Sequence, residues 1–333
     1  MTFWSDRRVL VTGCTGFLGA WLSDALVDRG ARVTGIVRDV TPRTMFFRHG
    51  IADRIDTVQG SIEDYGVLER VLGEYEIDTV FHLAAQALVG VANRNPLATF
   101  ETNVKGTWNV LEACRRAPLV SRIVLASSDK AYGIHAELPY TEEFPLQGSH
   151  PYDVSKSCAD LIGATYHHTY RTPVCITRCG NLFGGGDPNT SRIVPGTILA
   201  VLDGKRPVIR SDGSPVRDYI HVQEVVDAYL RLAERMDDAK LHGRAFNFGT
   251  GEPVSVLDLT RRILRLMKRE DLEPEILDEA RGEIPEQYLS SDLARRLLDW
   301  RPGASLDERL AETIEWYRAE RLRHAARSAA VAD

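Results

Sequence analysis

The run Arg8-Val9-Leu10-Val11-Thr12-Gly13-Cys14-Thr15-Gly16-Phe17-Leu18-Gly19 decides the fold. Its first five residues are an apolar run of strand length, and a helical pattern follows from Ala20 to Arg29. Between them stands Gly-x-x-Gly-x-x-Gly at a strand-to-helix junction. Glycines there let the backbone turn tightly and approach a pyrophosphate, while the helix start supplies N–H donors and partial positive charge. A strand before and a helix after are the context in which such a triplet specifies dinucleotide binding. Gly13, Gly16 and Gly19 are therefore expected at a dinucleotide, with Thr15, Phe17 and Leu18 lining the same turn.

Arg32 to Val37 reads as the second strand and ends in Arg38-Asp39. An acidic residue about twenty positions past the glycines holds the adenosine ribose of NAD, whereas an Arg there accommodates the phosphate of NADP. Both are present; Asp39 favours NAD, and NADP is the alternative. Asp56 to Ile62 reads as a third strand, bringing Ser61 and Ile62 near the adenine. Thr79 to Gln86 is a fourth, whose small residues after Leu83 (Ala84 and Ala85) permit close approach of a cofactor. His82 is read as a packed strand residue. Thr102 to Thr107 opens an amphipathic helix from which Asn103 is expected to reach active-site backbone. Strands alternating with helices across the first 180 residues specify a parallel, doubly wound α/β sheet of Rossmann type.

Two clusters later in the chain converge on one point. Ser127-Ser128-Asp129-Lys130-Ala131-Tyr132 follows the buried-strand run Ile123-Val124-Leu125, and Tyr152-Asp153-Val154-Ser155-Lys156 opens a long helix. Tyr152 and Lys156 are four apart and share a helix face. A Lys ammonium beside a phenol lowers a Tyr pKa that is normally near ~10, which makes a general base. Polar side chains at the carboxyl end of a strand are where an open α/β sheet binds and transforms ligands.

The 333 residues, 44% of them hydrophobic, suffice for one large or two modest domains. A net charge of −6 argues against nucleic acid as a partner. No apolar run reaches membrane-spanning length, and Met1 to Asp6 does not read as a signal peptide, so a cytoplasmic location is expected. The five cysteines contain no CxxC pair, which reads as reduced thiols in core positions. No metal site is expected.

Beyond residue 180 the texture changes. The strand Cys175 to Arg178 leads into a Gly- and Pro-rich loop, Gly180 to Pro188. Isolated basic residues recur after it, and Arg217, set in a strand-like run, suits a diphosphate clamp through its planar fork of donors. Phe246 to Gly249 reads as a strand returned to the first domain. The end, Leu293 to Glu320, is amphipathic helix around Leu297, Leu298, Trp300, Leu306, Leu310, Ile314 and Trp316. The expected division is a dinucleotide-binding domain of residues 1–180 plus about 219–250. A smaller mixed α/β substrate domain takes 181–218 and 251–322, and 323–333 is a frayed tail.

Thr12-Gly13-x-x-Gly16-x-x-Gly19, Asn103-x-x-Gly106-Thr107, Tyr152-x-x-x-Lys156 and Arg217-Asp218-Tyr219 together resemble the extended short-chain dehydrogenase/reductase family. The branch resembled is the one that modifies nucleotide-diphospho sugars, and the likeness extends to about residue 320. Within it, Ser128-Asp129-Lys130 with x-Tyr after it is similar to the CDP-glucose 4,6-dehydratase type, whereas 4-epimerases carry small or hydroxyl residues at the positions of Asp129 and Lys130. The resemblance implies Ser128, Asp129, Lys130, Tyr152 and Lys156 as catalytic residues, the last two also touching NAD. It further implies Gln86, Asn181, Arg192, Arg217 and Arg281 as grips on the nucleotide-sugar substrate, and a homodimer paired through the helices near Asn103 and Tyr152. Apolar residues such as Val110, Leu161, Ile162 and Tyr166 are candidates for that contact. A nucleotide-sugar 4-epimerase and a non-catalytic dinucleotide-binding regulator are the alternative functions.

Overall fold

The computed structural model describes residues 2–279 and 284–332. Up to residue 180 the strands are β1 Arg8–Thr12, β2 Arg32–Val37, β3 Asp56–Gln59, β4 Thr79–His82, β5 Arg122–Ala126 and β6 Val174–Cys179. After it come β7 Asn181–Phe183, β8 Val208–Ile209, β9 Val216–His221, β10 Ala245–Phe248, β11 Pro253–Ser255, β12 Glu275–Ile276 and β13 Glu286–Gln287.

The larger sheet has seven strands in the order β3-β2-β1-β4-β5-β6-β10, parallel throughout. Its strands are apolar runs because helices cover both faces. On one face the helices Phe17–Asp28 and Val222–Arg235 pack a core that includes Trp4, Leu22, Tyr229, Phe246, Phe248 and Trp300. On the other, the helices Tyr65–Glu74 and Gly106–Arg116 contribute Leu68, Val71, Val110 and Leu111 to a second core with Val80 and Ile123. From β1 the chain runs to β2 on one side and later to β4 on the other. That reversal opens a crevice beyond the carboxyl ends of β1 and β4, the place where such sheets bind ligands.

In a smaller sheet β9 is central, with β7 and β13 parallel to it and β11 antiparallel. Residues 181–183, expected within a flexible loop, are thus a strand. A third core of Phe183, Ile198, Leu259, Ile263, Leu310 and Ile314 lies around this sheet. The last helix, Leu306–Ala332, runs on through the stretch past Leu322 where fraying is expected from sequence. Leu297, expected in the core, is exposed, whereas Leu298 and Trp300 beside it are buried. The helix Asp292–Leu298 turns Leu298 inward and stops at Asp299, which takes a left-handed conformation.

Candidate active site

Gly13 is the tightest point of the glycine turn. Its φ is +75°, and a Cβ there would stand 2.7 Å from the backbone N of Ala84. At Gly19 a Cβ would stand 2.1 Å from the Gly13 carbonyl oxygen, so the helix could not start where it does. The helix Phe17–Asp28 has Gly16 as its N-cap and no side-chain cap, and Gly16 itself is exposed. Its first N–H groups therefore remain available to an anion. A cradle that a Cβ would fill, below an uncapped helix start, fits the pyrophosphate of a dinucleotide.

A chain of hydrogen bonds ties this turn to the crevice. The Thr107 hydroxyl donates to the Asn103 carbonyl at 2.6 Å, so it accepts from His82 Nε2 at 3.1 Å. His82 Nδ1 is then the acceptor for the Thr12 hydroxyl at 2.7 Å, and Thr12 Oγ1 in turn accepts from the N–H groups of Leu83 and Ala84, each at 3.2 Å. His82 is buried and held neutral: burial, with the Lys156 charge adding to it, brings its pKa down to about 3. It is a packed strand residue that orders the loop carrying Leu83, Ala84 and Ala85.

Asn103 reaches backbone as expected. Its Oδ1 accepts from the Gln86 N–H at 2.7 Å, and its Nδ2 donates to the Gln86 carbonyl at 3.2 Å and to Ser155 Oγ at 2.8 Å. It sits in a π-helical turn, Glu101–Lys105, a wide turn that recurs at functional sites and that periodicity does not reveal. Ser155 passes the contact on by donating to the Tyr152 carbonyl at 2.6 Å.

Beyond β5, Ser128 caps a single 3₁₀ turn, Asp129–Tyr132, its Oγ accepting from the Lys130 N–H at 3.2 Å. The same hydroxyl donates to Asp129 Oδ1 at 3.0 Å. Asp129 is buried, and its Oδ2 is 3.0 Å from Lys130 Nζ in an ion pair. Ser128 lies near enough to the Tyr152 hydroxyl to pull its pKa down. Ser128, Asp129 and Lys130 are thus one contiguous polar chain beside Tyr152.

The Tyr152–Lys156 pair behaves differently from its reading in sequence. Burial pushes the Tyr152 phenol up to about 12 against the pull of Ser128, and Asp129 adds to the rise. Burial brings Lys156 itself down to about 8, resisted by Asp160, and its Nζ donates to the Ala126 carbonyl at 2.8 Å. The protein alone therefore leaves Tyr152 a weak acid, where the i,i+4 spacing suggested an activated one.

The remaining expected residues divide. Asn181 on β7 joins the polar cluster around Lys130, its Oδ1 3.4 Å from Lys130 Nζ. Arg192 pairs with the buried Asp187 at 3.1 Å and lends its charge to the surroundings of Tyr152. Arg217 is buried on β9 and donates to the carbonyls of Val216 and Pro285 at 2.8 and 3.3 Å. Gln86 holds the Asn103 contacts already described, and Arg281 lies outside the described residues. At the β2 end, Arg38 and Asp39 pair with each other at 2.7 Å, both exposed. Ser61 accepts from the Glu63 N–H at 3.4 Å. Ile62 turns into the core against Gly106, where a Cβ would stand 2.4 Å from its Cδ1. Gln287 on β13, which the motifs do not include, touches both Asp129 and Lys130.

The profile of the NAD dependent epimerase/dehydratase family matches residues 9–249. The CDP-glucose 4,6-dehydratase of Salmonella typhimurium is 31% identical, over 95% of this chain and 92% of that protein. Among solved structures, the UDP-glucose 4-epimerase of Thermotoga maritima, with UDP-glucose, superposes with a TM-score of 0.86 at 27% identity, over 94% of this chain and 99% of that one. A double mutant of the dTDP-glucose 4,6-dehydratase of Streptomyces venezuelae, solved with NAD bound, gives 0.84 at 28%, over 93% and 97%. With the glycine cradle, the Tyr152–Lys156 helix and these matches in place, the chain belongs to the NAD-dependent epimerase/dehydratase family of extended short-chain dehydrogenase/reductases, and its cofactor is NAD.

Proposed function

We propose that the protein is a nucleotide-diphospho-sugar 4,6-dehydratase, with CDP-glucose the favoured substrate. The observation that carries this reading is the buried Asp129 carboxylate, bonded to Ser128 on one oxygen and to Lys130 on the other. An epimerase needs only a base and a hydroxyl at the 4-oxygen; an acid and a base set beside them suit the elimination of water. The similarity to the Salmonella enzyme, whose name states this activity, points the same way.

NAD, when bound, supplies the hydride acceptor at C4, the hydride donor at C6 and a positive ring charge that favours the Tyr152 phenolate. Tyr152 takes the proton of the sugar 4-hydroxyl, and Ser128 holds the same oxygen in place. The 4-ketone so formed acidifies the C5 proton. Asp129 delivers a proton to the departing 6-hydroxyl, and Lys130 takes the proton from C5. The product is a 4-keto-6-deoxy sugar. Asn181, Arg192, Arg217 and Arg281 grip the nucleotide diphosphate.

A 4-epimerase is the second reading, favoured by the closeness of the Thermotoga fold and by the fact that Tyr152, Ser128 and Lys156 alone would serve it. Mass spectrometry after incubation with CDP-, GDP-, UDP- and dTDP-sugars separates the readings. Loss of water with a 4-ketone supports the dehydratase; inversion without mass change supports the epimerase; no turnover on any of them leaves a non-catalytic dinucleotide-binding regulator.

A homodimer in the cytoplasm is part of the same proposal. The five cysteines are free thiols, as a reducing compartment keeps them. Among the described residues no helix is long and apolar enough to cross a membrane. The dimer would pair the helices Gly106–Arg116 and Pro151–Tyr170, where Trp108 is 43% and Leu161 58% exposed. Val110 is excluded from that contact, being buried in the core under its own sheet, against which Ile162 and Tyr166 also pack.

A further inference from the structure

Three acceptors from three parts of the chain surround Lys130 Nζ. They are Asp129 Oδ2 at 3.0 Å, Asn181 Oδ1 at 3.4 Å and Gln287 Oε1 at 2.5 Å. An ammonium has three N–H donors and a neutral amine two, so this cage matches the charged form. Gln287 is fully buried on β13, and the other end of its amide, Nε2, donates to the Asp129 carbonyl at 2.8 Å. A buried primary amide is costly unless both ends are bonded. Here both ends are spent on Asp129 and Lys130.

We propose that Gln287 is a positioning residue for the elimination step, clamping Lys130 against Asp129 so that one proton can pass between them. This rests on the dehydratase reading. When a proton moves from Nζ to Asp129 Oδ2, the ion pair becomes a neutral acid and a neutral amine, the two forms that elimination needs. The two N–H groups left on the amine remain bonded to Asn181 and Gln287, so Nζ keeps its place. Asp129 then gives its proton to the 6-hydroxyl, which leaves as water when the C6–O bond breaks. The amine takes the C5 proton, the C5–H electrons form the C5=C6 bond, and the resting ion pair returns.

The test follows purified holoenzyme with CDP-glucose, reading reduced-nicotinamide absorbance for C4 oxidation and mass spectrometry for water loss. Gln287→Leu should form the reduced cofactor at a rate within about 3-fold of wild type while water loss falls roughly 10- to 100-fold, the scale on which misplaced groups act. Gln287→Met removes the same two bonds with an unbranched side chain of similar length and should show the same split between the two steps. A packing role predicts instead that both steps fall together or that neither does. The inference is overturned if Gln287→Leu eliminates water at the wild-type rate, or if both of its steps fall together. Should Gln287→Leu fail to fold, the same ratio in the Met variant decides. A wild-type enzyme that releases no water from any of the CDP-, GDP-, UDP- and dTDP-sugars sinks the dehydratase reading and this inference with it, whereas normal elimination with an indifferent Gln287→Leu sinks the inference only.

Discussion

Arg178 grips both carboxylate oxygens of Asp160, Nε to Oδ2 at 2.7 Å and Nη2 to Oδ1 at 2.9 Å, with both side chains buried. Asp160 lies one turn beyond Lys156 on the helix Pro151–Tyr170. The third nitrogen of Arg178 donates to the Tyr132 hydroxyl at 2.8 Å, and that hydroxyl donates to Asn247 Oδ1 at 2.7 Å. Tyr132 closes the short turn that carries Asp129 and Lys130. One buried strut thus joins the helix of Tyr152 and Lys156 to the turn of Asp129 and Lys130.

Breaking that strut on one side should be expensive. Arg178→Met strands a buried carboxylate, a change that costs about 3–5 kcal/mol in comparable sites. Replacing both partners, Arg178→Met with Asp160→Leu, should recover part of the loss, because the stranded carboxylate is gone although Lys156 loses the support of Asp160. Urea unfolding of the single and double variants measures both; a double variant as unstable as the single would refute the account.

Asp129→Asn separates the two halves of the proposed reaction. It keeps shape and hydrogen bonding but has no proton to deliver, and the loss of a positioned acid costs roughly 10²–10⁴-fold. The variant should bind CDP-glucose and build up reduced-nicotinamide absorbance while eliminating water slowly. Tyr152→Phe should block the first hydride transfer and give no absorbance. Full turnover by Asp129→Asn would move the reading to the epimerase.

Stability should decline in mild acid because of two buried histidines. Burial brings His82 and His221 each down to about 3, with Lys156 adding at His82 and Arg309 at His221. The unfolded chain takes up these protons near pH ~6.5 and the folded one does not, so stability is lost as pH falls from there toward about 3. At about pH 5 the expected loss is roughly 2 kcal/mol per histidine relative to about pH 7. His221 caps the helix Val222–Arg235, and Asn is an effective cap without a titrating ring. Denaturant unfolding of His221→Asn at both pH values should therefore show about half the wild-type difference from these two groups; an unchanged difference would discount His221.

Leu161→Glu tests the proposed assembly. A charge on an exposed apolar helix position leaves the fold intact but penalises burial against a second copy. Light scattering at micromolar concentration should give a dimer for the wild type and a monomer for this variant. A monomeric wild type removes the dimer from the proposal.

The residues themselves determined the parallel sheet, the dinucleotide turn and the alignment of Tyr152 with Lys156. Each of these depends on local spacing: strand-length apolar runs, glycines three apart, and a Tyr and Lys one helical turn apart. Adjacency in the chain also placed Ser128, Asp129 and Lys130 together. Only the tertiary structure decided what those groups meet. Gln287 reaches Lys130 across 157 residues, and Arg178 meets Tyr132 across 46, through strands whose pairing no local pattern announces. The sign of the Tyr152 shift belongs to the same class, because desolvation depends on how completely the surrounding elements close over a phenol, and it outweighs the pull of Ser128 here. Val110 and Leu161 make the point on the surface. Both are apolar residues on amphipathic helices, and only packing sends the first into the core under its own sheet and leaves the second facing out.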